Sequence, residues 1–217
     1  MCFNISIVSS IDAIEQQFNA EFHIDFSFKP KKHISAFTNP VIPVITAENS
    51  REIQPLQWGL IPHWVKDSQK ANEIRRMTYN AKSETVHEKP SFRDAFKKNR
   101  CLVIADGFYE WKSTSSGKIC HYIKSNDTDI FAFAGIFSEW TDKLSGEYVK
   151  SVSILTQSAN PMMAEIHNIK KRQPVILSKD HQNEWLNNKI KYEHILDASF
   201  KVDLNSQVVK SPLKYKK

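Results

Sequence analysis

Residues 100–112 read RCLVIADGFYEWK. Within them Cys101–Ala105 and Phe108–Lys112 are runs of aliphatic, β-branched and aromatic residues split by Asp106-Gly107, and each reads as a strand. Working outward, His121–Lys124, Ile130–Ala134, Val149–Thr156 and Pro174–Leu177 have the same character, and Ser113–Lys118 (STSSGK) has the composition of a hairpin connection. Helical signals are short. Ser10 is placed to cap a segment in which Ile11, Ile14, Phe18 and Phe22 recur at helical spacing, and Ser91 to cap Phe92–Lys98. Asn160-Pro161 reads as an N-cap and first helical position for Met162–His167, and Asp180 as the opening of a helix over 182–188. There is no regular βαβ alternation and no Gly-rich phosphate loop, which removes doubly wound nucleotide-binding folds. The pattern predicts an α+β domain: a curved or barrel-like, mainly antiparallel sheet flanked by short helices.

The chain has 217 residues, enough to bury its own core, and 41% hydrophobic with 25% charged residues is ordinary globular composition. No Pro/Gly/Ser-rich stretch divides it, so one domain is expected over residues 1–209, followed by a basic tail over 210–217. The longest apolar runs fall far short of the ~20 residues that span a bilayer, and no signal-peptide pattern follows Met1. A cytoplasmic protein without membrane association is expected. Three cysteines, Cys2, Cys101 and Cys120, form no CxxC pair and leave an odd thiol, which fits a reducing compartment. Neither a metal nor a cofactor is expected, because no His or Cys pairs with another at zinc-ligand spacing. The formal charge of +6 favours an anionic partner and equally fits a plain basic surface.

Cys2 is unusual by position. Removal of Met1 places a thiol and an α-amine on one residue, with reference pKa values of about 8.5 and 7.7–8.0. Such a 1,2-aminothiol traps an aldehyde: the amine forms a Schiff base and the sulfur closes a thiazolidine ring. The same position also suits a small buried residue at the start of a strand, because Phe3, Ile5 and Ile7 alternate after it. Glu110 sits between Tyr109 and Trp111; against aromatic walls its carboxyl would lose hydration and shuttle protons near neutral pH, whereas strand alternation could equally turn it to solvent. His167, closing MMAEIHN, suits either proton relay or a structural hydrogen bond.

WGLIPHW (58–64) offers Trp58 and Trp64 beside a proline turn, followed by Lys66, Lys70, Arg75, Arg76 and Lys82. Aromatic faces stack on unpaired bases and cations meet phosphates, the pattern of a single-strand binder; core tryptophans and a solvated lysine face produce the same string. Asn80 in YNAKSET suits a phosphate or sugar contact as well as a turn cap, and Lys170-Lys171-Arg172 adds charge beside His167.

Met1-Cys2, WGLIPHW, NAKSET (80–85), RCLVIADGFYEW (100–111), FAGIF (133–137), ILTQSANPMMAEIHN (154–168) and RQPVIL (172–177), taken together and in this order, resemble the SRAP family, the SOS-response-associated peptidase-like proteins that process abasic sites in single-stranded DNA. The resemblance covers roughly residues 1–180. It implies a single SRAP-type domain, a monomer, whose processed Cys2 forms a thiazolidine crosslink with the ring-opened aldehyde of an abasic deoxyribose. Asn80 would position the amine and the sugar, Glu110 would move protons, and His167 would act at the sugar oxygen or in reversal. Trp64, Lys82 and Arg172 would line the DNA groove, and association with the nucleoid would follow DNA binding. Three departures from the family pattern stand out. Phe3-Asn4 replaces Gly-Arg after Cys2, Lys82 replaces Arg in Asn-Ala-Arg, and Gln173 replaces Met in Arg-Met-Pro, preceded by a longer basic insert after His167. They bear on strand affinity more than on the chemistry. A Schiff base also promotes β-elimination, so weak lyase activity is expected. Two other readings of the same residues are a cysteine-type (auto)peptidase with Cys2 as nucleophile and His167 as base, and a non-covalent binder of single strands.

Overall fold

The structure, a computed structural model, describes residues 2–187 and 191–213. In chain order the first half runs β1 (Asn4–Ile7), α1 (Ile11–Phe18), β2 (Glu21–Phe22), β3 (Lys31–Ser35), β4 (Val41–Thr46), β5 (Glu52–Trp58), α2 (Ser68–Arg75), β6 (Asn80–Lys82) and α3 (Arg93–Lys98). The second half runs β7 (Arg100–Ala105), β8 (Gly107–Thr114), β9 (Gly117–Ser125), β10 (Phe131–Thr141), β11 (Tyr148–Ser158), α4 (Pro161–Ile166), β12 (Arg172–Pro174), β13 (Ile176–Leu177), α5 (Lys179–Asn187), α6 (Tyr192–Phe200) and β14 (Leu204–Val208).

The strands pair β5–β4–β7–β10–β11, and β11 returns to β5 through Ser151↔Gln57 and Val152↔Trp58, which closes a five-stranded ring. All of these pairings are antiparallel except the closing one. Closure removes the open edges that a five-stranded sheet would expose. A second sheet, β14–β9–β8–β1–β3, is antiparallel throughout and packs against the ring. Its inward residues Ile5, Phe108 and Ile123 share one continuous core with Val103, Phe131 and Phe133, and the rings of Phe108 and Phe133 meet edge-on at 5.9 Å. The fold is therefore α+β with a barrel at its centre.

Two of the expected helix caps form as the local chemistry predicts. The Ser10 hydroxyl accepts from the Ala13 N–H at 3.2 Å, and Asn160 with Pro161 opens α4 through a bond from the Met163 N–H to Asn160 Oδ1 at 2.9 Å. Ser91 does not cap α3, whose N-cap position is Phe92 without a side-chain bond. Phe22 leaves α1 and joins β2, because Asn19 turns left-handed at φ 50° and ends the helix. α5 begins at Lys179, with Asp180 in its first turn, and the expected end of that helix at Asn188 lies outside the described residues. The Ser113–Lys118 segment is mostly ladder: Ser113↔Lys118 and Thr114↔Gly117 pair, leaving only residues 115 and 116 as the turn. Several elements carried no clear sequence signal, namely β3, β4, β5, α2 and α6. β1 also departs from expectation, since Asn4 and Ser6 are buried along with Ile5 and Ile7. The strand runs between β3 and β8, so both of its edges are paired, and its four residues are buried on both faces.

Phe108 holds the two sheets together. Phe108→Ala should destabilise the protein by about 3–5 kcal/mol in chemical denaturation, the range for emptying a well-packed aromatic site; a loss under 1 kcal/mol would mean the sheets are joined elsewhere.

Candidate active site

β1 and β8 pair antiparallel through Ile5↔Phe108 and Ser6↔Gly107. Continuing that register toward the N-terminus brings Phe3 level with Glu110, and Cys2 follows immediately. Cys2 is fully buried, and its thiol is pushed far above the ordinary range, first by burial and second by the nearby Glu110 carboxylate. Glu110 is 6% exposed, and burial raises its carboxyl to about 7, with the Trp111 backbone hydrogen bond working in the opposite direction. Of the two sequence readings of Glu110, the desolvated one holds. Met1, and with it the question of its removal, lies outside the described residues.

His167 reaches the same place from α4. Lys171 adopts a left-handed conformation at φ 47°, so the loop folds back and its N–H donates to the His167 carbonyl at 2.8 Å. The next backbone N–H, of Arg172, donates to His167 Nδ1 at 3.0 Å. Nδ1 is thereby the acceptor nitrogen of the neutral ring and Nε2 carries its proton. Burial lowers the ring to about 4, so it is neutral near pH 7. Asn168 then ties this loop to β8: its Nδ2 donates to the Ser113 carbonyl at 2.8 Å and its Oδ1 accepts from the Ser113 N–H at 3.1 Å.

Asn80 enters from the ring side. β6 runs parallel to β11 with Ile154↔Asn80, and the preceding Tyr79 is locked in place. Its carbonyl accepts from Trp58 Nε1 at 2.9 Å, and its ring packs edge-on to Phe3 at 6.2 Å and to Phe37 at 5.8 Å. Asn80 itself is buried, and neither its Oδ1 nor its Nδ2 has a hydrogen-bond partner among the described residues. An amide desolvated without partners costs about 1–3 kcal/mol, a cost that a bound ligand would offset. Trp58 and Tyr79, which the sequence reading did not single out as positioning groups, hold this strand; the WGLIPHW and YNAK strings contained them, but nothing in either string says they bond each other.

A cavity of about 320 Å³ opens over Glu110 and His167, and neither Cys2 nor Asn80 is among the residues that line it. Glu110 and His167 line it together with Phe3, Phe37, Trp111 and Lys170, and Lys118 and Leu213 close its rim. The described part of the expected tail thus reaches the site, while residues 214–217 lie outside the described residues. The three residues assigned to the DNA groove do not line the cavity. Trp64 is half exposed, with Nε1 on the Pro90 carbonyl at 3.3 Å, while Trp58 is core. Lys82 is exposed at the end of β6. Arg172 forms a two-pronged ion pair with Glu84, at 2.5 and 2.9 Å, and its Nη2 also donates to the Thr156 carbonyl at 2.6 Å. Two of the three departures from the family pattern are absorbed by packing: Phe3 packs at a tilt against Phe37, ring centroids 5.0 Å apart, and buried Gln173 accepts the Asn160 N–H at 2.7 Å, bracing the start of α4. Among the described residues no cluster of His, Cys, Asp or Glu is placed to hold a metal, and no helix is long and apolar enough to cross a membrane.

The profile of the family described as SOS response associated peptidase (SRAP) matches residues 1–212. The chain belongs to the SRAP family. It is 36% identical over 191 residues to the abasic site processing protein YoaM of Bacillus subtilis, covering 87% of this chain and 80% of that protein. It is 31% identical over 158 residues to the abasic site processing protein HMCES of Gallus gallus, spanning 64% of this chain and 46% of HMCES. A crystal structure of a Bacteroides thetaiotaomicron protein superposes with a TM-score of 0.89 at 35% identity, over 96% of this SRAP chain and 92% of the other. A Bordetella bronchiseptica structure shares the fold at 23% identity and a TM-score of 0.80.

The raised Glu110 makes a signed prediction. Its carboxyl stands at about 7 in the fold against an ordinary value of 4.5, so its contribution to stability is complete below pH 4.5 and is lost as pH climbs through 7. Relative to Glu110→Gln, the wild type should lose on the order of 3 kcal/mol between pH 4.5 and 8. Urea titrations of both proteins at several pH values measure the difference; parallel curves would place Glu110 in a solvated environment.

Proposed function

We propose that this protein processes abasic sites in DNA, binding the single-stranded form and joining itself to the lesion through Cys2 once Met1 is removed. The carrying observation is the desolvated Glu110 beside Cys2 in a cavity that His167 also lines. The names of the curated relatives support the substrate, and the residues support the chemistry.

A protonated Glu110 donates to the ring oxygen of the deoxyribose as the hemiacetal opens to the aldehyde, and the C1 hydroxyl gives up a proton that is taken up again when that oxygen leaves as water. The Cys2 α-amine adds to the aldehyde carbon, water leaves, and an iminium forms. The thiol then adds to the iminium carbon and gives up its proton; Glu110, now a carboxylate, is the base at hand. Aldehyde plus aminothiol become thiazolidine plus one water, with no redox change. Because burial keeps the Cys2 sulfur protonated, the amine acts first and the sulfur follows, the order that thiazolidine formation needs. Neutral His167, with its proton on Nε2, donates to an oxygen of the sugar. Asn80 supplies both an amide donor and an acceptor, matching a sugar hydroxyl and the incoming amine. Trp64 and Lys82 serve the strand outside the cavity. The same iminium gives weak β-elimination.

Incubation of the Met-processed protein with a single-stranded oligonucleotide carrying one abasic site should yield a denaturant-resistant one-to-one adduct, lighter by one water than its two components on intact mass measurement. Cys2→Ala should yield none, and Glu110→Gln should slow adduct formation roughly a hundredfold, the usual worth of a general acid–base group. An adduct formed equally well by Cys2→Ala would transfer the chemistry to another nucleophile. Turnover of unrelated peptides, in place of adduct formation, would support the peptidase reading.

A further inference from the structure

The cations that the sequence assigned to the DNA groove are not those that face the chemistry. Arg172 is spent on Glu84 and Thr156, and Lys82 stands outside the cavity. Two lysines line the cavity alongside Glu110 and His167: Lys118 from β9 and Lys170 from the loop after α4. Neither forms an ion pair among the described residues, whereas Lys70, Lys124 and Lys150 do. They come from elements 52 residues apart, but one connection joins their supports. Asn168, two residues before Lys170, exchanges two hydrogen bonds with the backbone of Ser113, and Ser113 is the ladder partner of Lys118. The left-handed Lys171 and its carbonyl, which accepts from the Ala159 N–H at 3.0 Å, fix the other side of the loop.

We propose that Lys118 and Lys170 form a phosphate clamp on the rim of the catalytic cavity, which takes a phosphodiester of the bound strand next to the lesion and is preset by the Asn168–Ser113 exchange. The clamp rests on the reading of this cavity as the abasic-site pocket. Its chemistry follows from the residues. Lysine ammonium groups are compact point charges that meet a phosphate without the fixed fork an arginine requires. With no carboxylate already bound to them, their full charge is available to displace counterions. The same cavity wall carries Phe37 and Ile169, both largely exposed, so a nucleotide unit would find apolar surface for its sugar and base as well as cations for its phosphate. Arg172 takes a different role, as a strut that joins β12 to the loop after β6 through Glu84 and so steadies the Asn80 strand.

The test separates binding from chemistry by using an intact, lesion-free oligothymidylate of about ten nucleotides. Non-covalent affinity is followed by fluorescence anisotropy across a salt series. Each phosphate contact on a single strand contributes a slope of about −0.7 in log affinity against log salt, so K118A/K170A should flatten the slope by about 1.4 and each single variant by about 0.7. K118R/K170R, which keeps both charges, should retain the wild-type slope. The matched control K97A/K143A removes two lysines outside the cavity, one on α3 and one in the turn after β10, and should leave the slope within error. An unchanged slope in K118A/K170A, an equal flattening in the control, or no binding of the oligothymidylate by the wild type would each overturn the clamp. Adduct formation with an abasic oligonucleotide at saturating concentration, measured on the same proteins, reports on Cys2 independently; its failure beside a flattened slope would leave the clamp standing and remove the covalent reading.

Discussion

The pairing of the N-terminal strand with β8 is the constraint on which the site depends. It draws the start of the chain into the protein interior, between β3 and β8, and sets Cys2 against Glu110. Desolvation then acts on every group there in the direction that removes charge. The thiol is held protonated, the carboxyl rises to about 7, and the imidazole falls to about 4. A site made of a neutral thiol, a half-protonated acid and a neutral imidazole is suited to a condensation in which protons move often and net charge appears only briefly.

The second organising element is β11. It closes the ring against β5, carries β6 with Asn80 along one side and β12 with Arg172 along another, and leads into α4 and His167. Groups that lie more than eighty residues apart in the chain are thus referred to one strand. The short connections do the final aiming: the left-handed turn at Lys171 delivers the Arg172 N–H to His167, and the Asn168 amide pins the same loop to the strand that bears Glu110. The basic insert after His167 is therefore part of the site's construction as well as a source of charge.

Charge is divided by function. Arg172, next to the loop that carries His167, is bound to the protein's own Glu84. The lysines at the cavity rim have no such partner among the described residues. A modest net charge of +6 is sufficient for such an arrangement, because placement of a few cations decides where a polyanion docks.

Local chemistry was legible in the chain. The Ser10 and Asn160-Pro161 caps, the strands around ADGFYEW and the hairpin after Ser113 follow from nearest-neighbour preferences, and the resemblance of seven strings to one family named Cys2, Asn80, Glu110 and His167. β4 and β5 were missed because their prolines, Pro43 and Pro55, lie in the strands, directly opposite each other. What the chain by itself determined is which residues could react and where the backbone would extend or turn, since both depend on side-chain type and a few neighbours. Only the tertiary structure decided that Glu110 faces the interior and not solvent, that Trp58 is core while Trp64 is surface, that Arg172 is already paired, and that Lys118 and Lys170 line one cavity. Each of those depends on burial and on contacts between distant segments, and a pKa, an ion pair or a cavity exists only once those segments have been brought together.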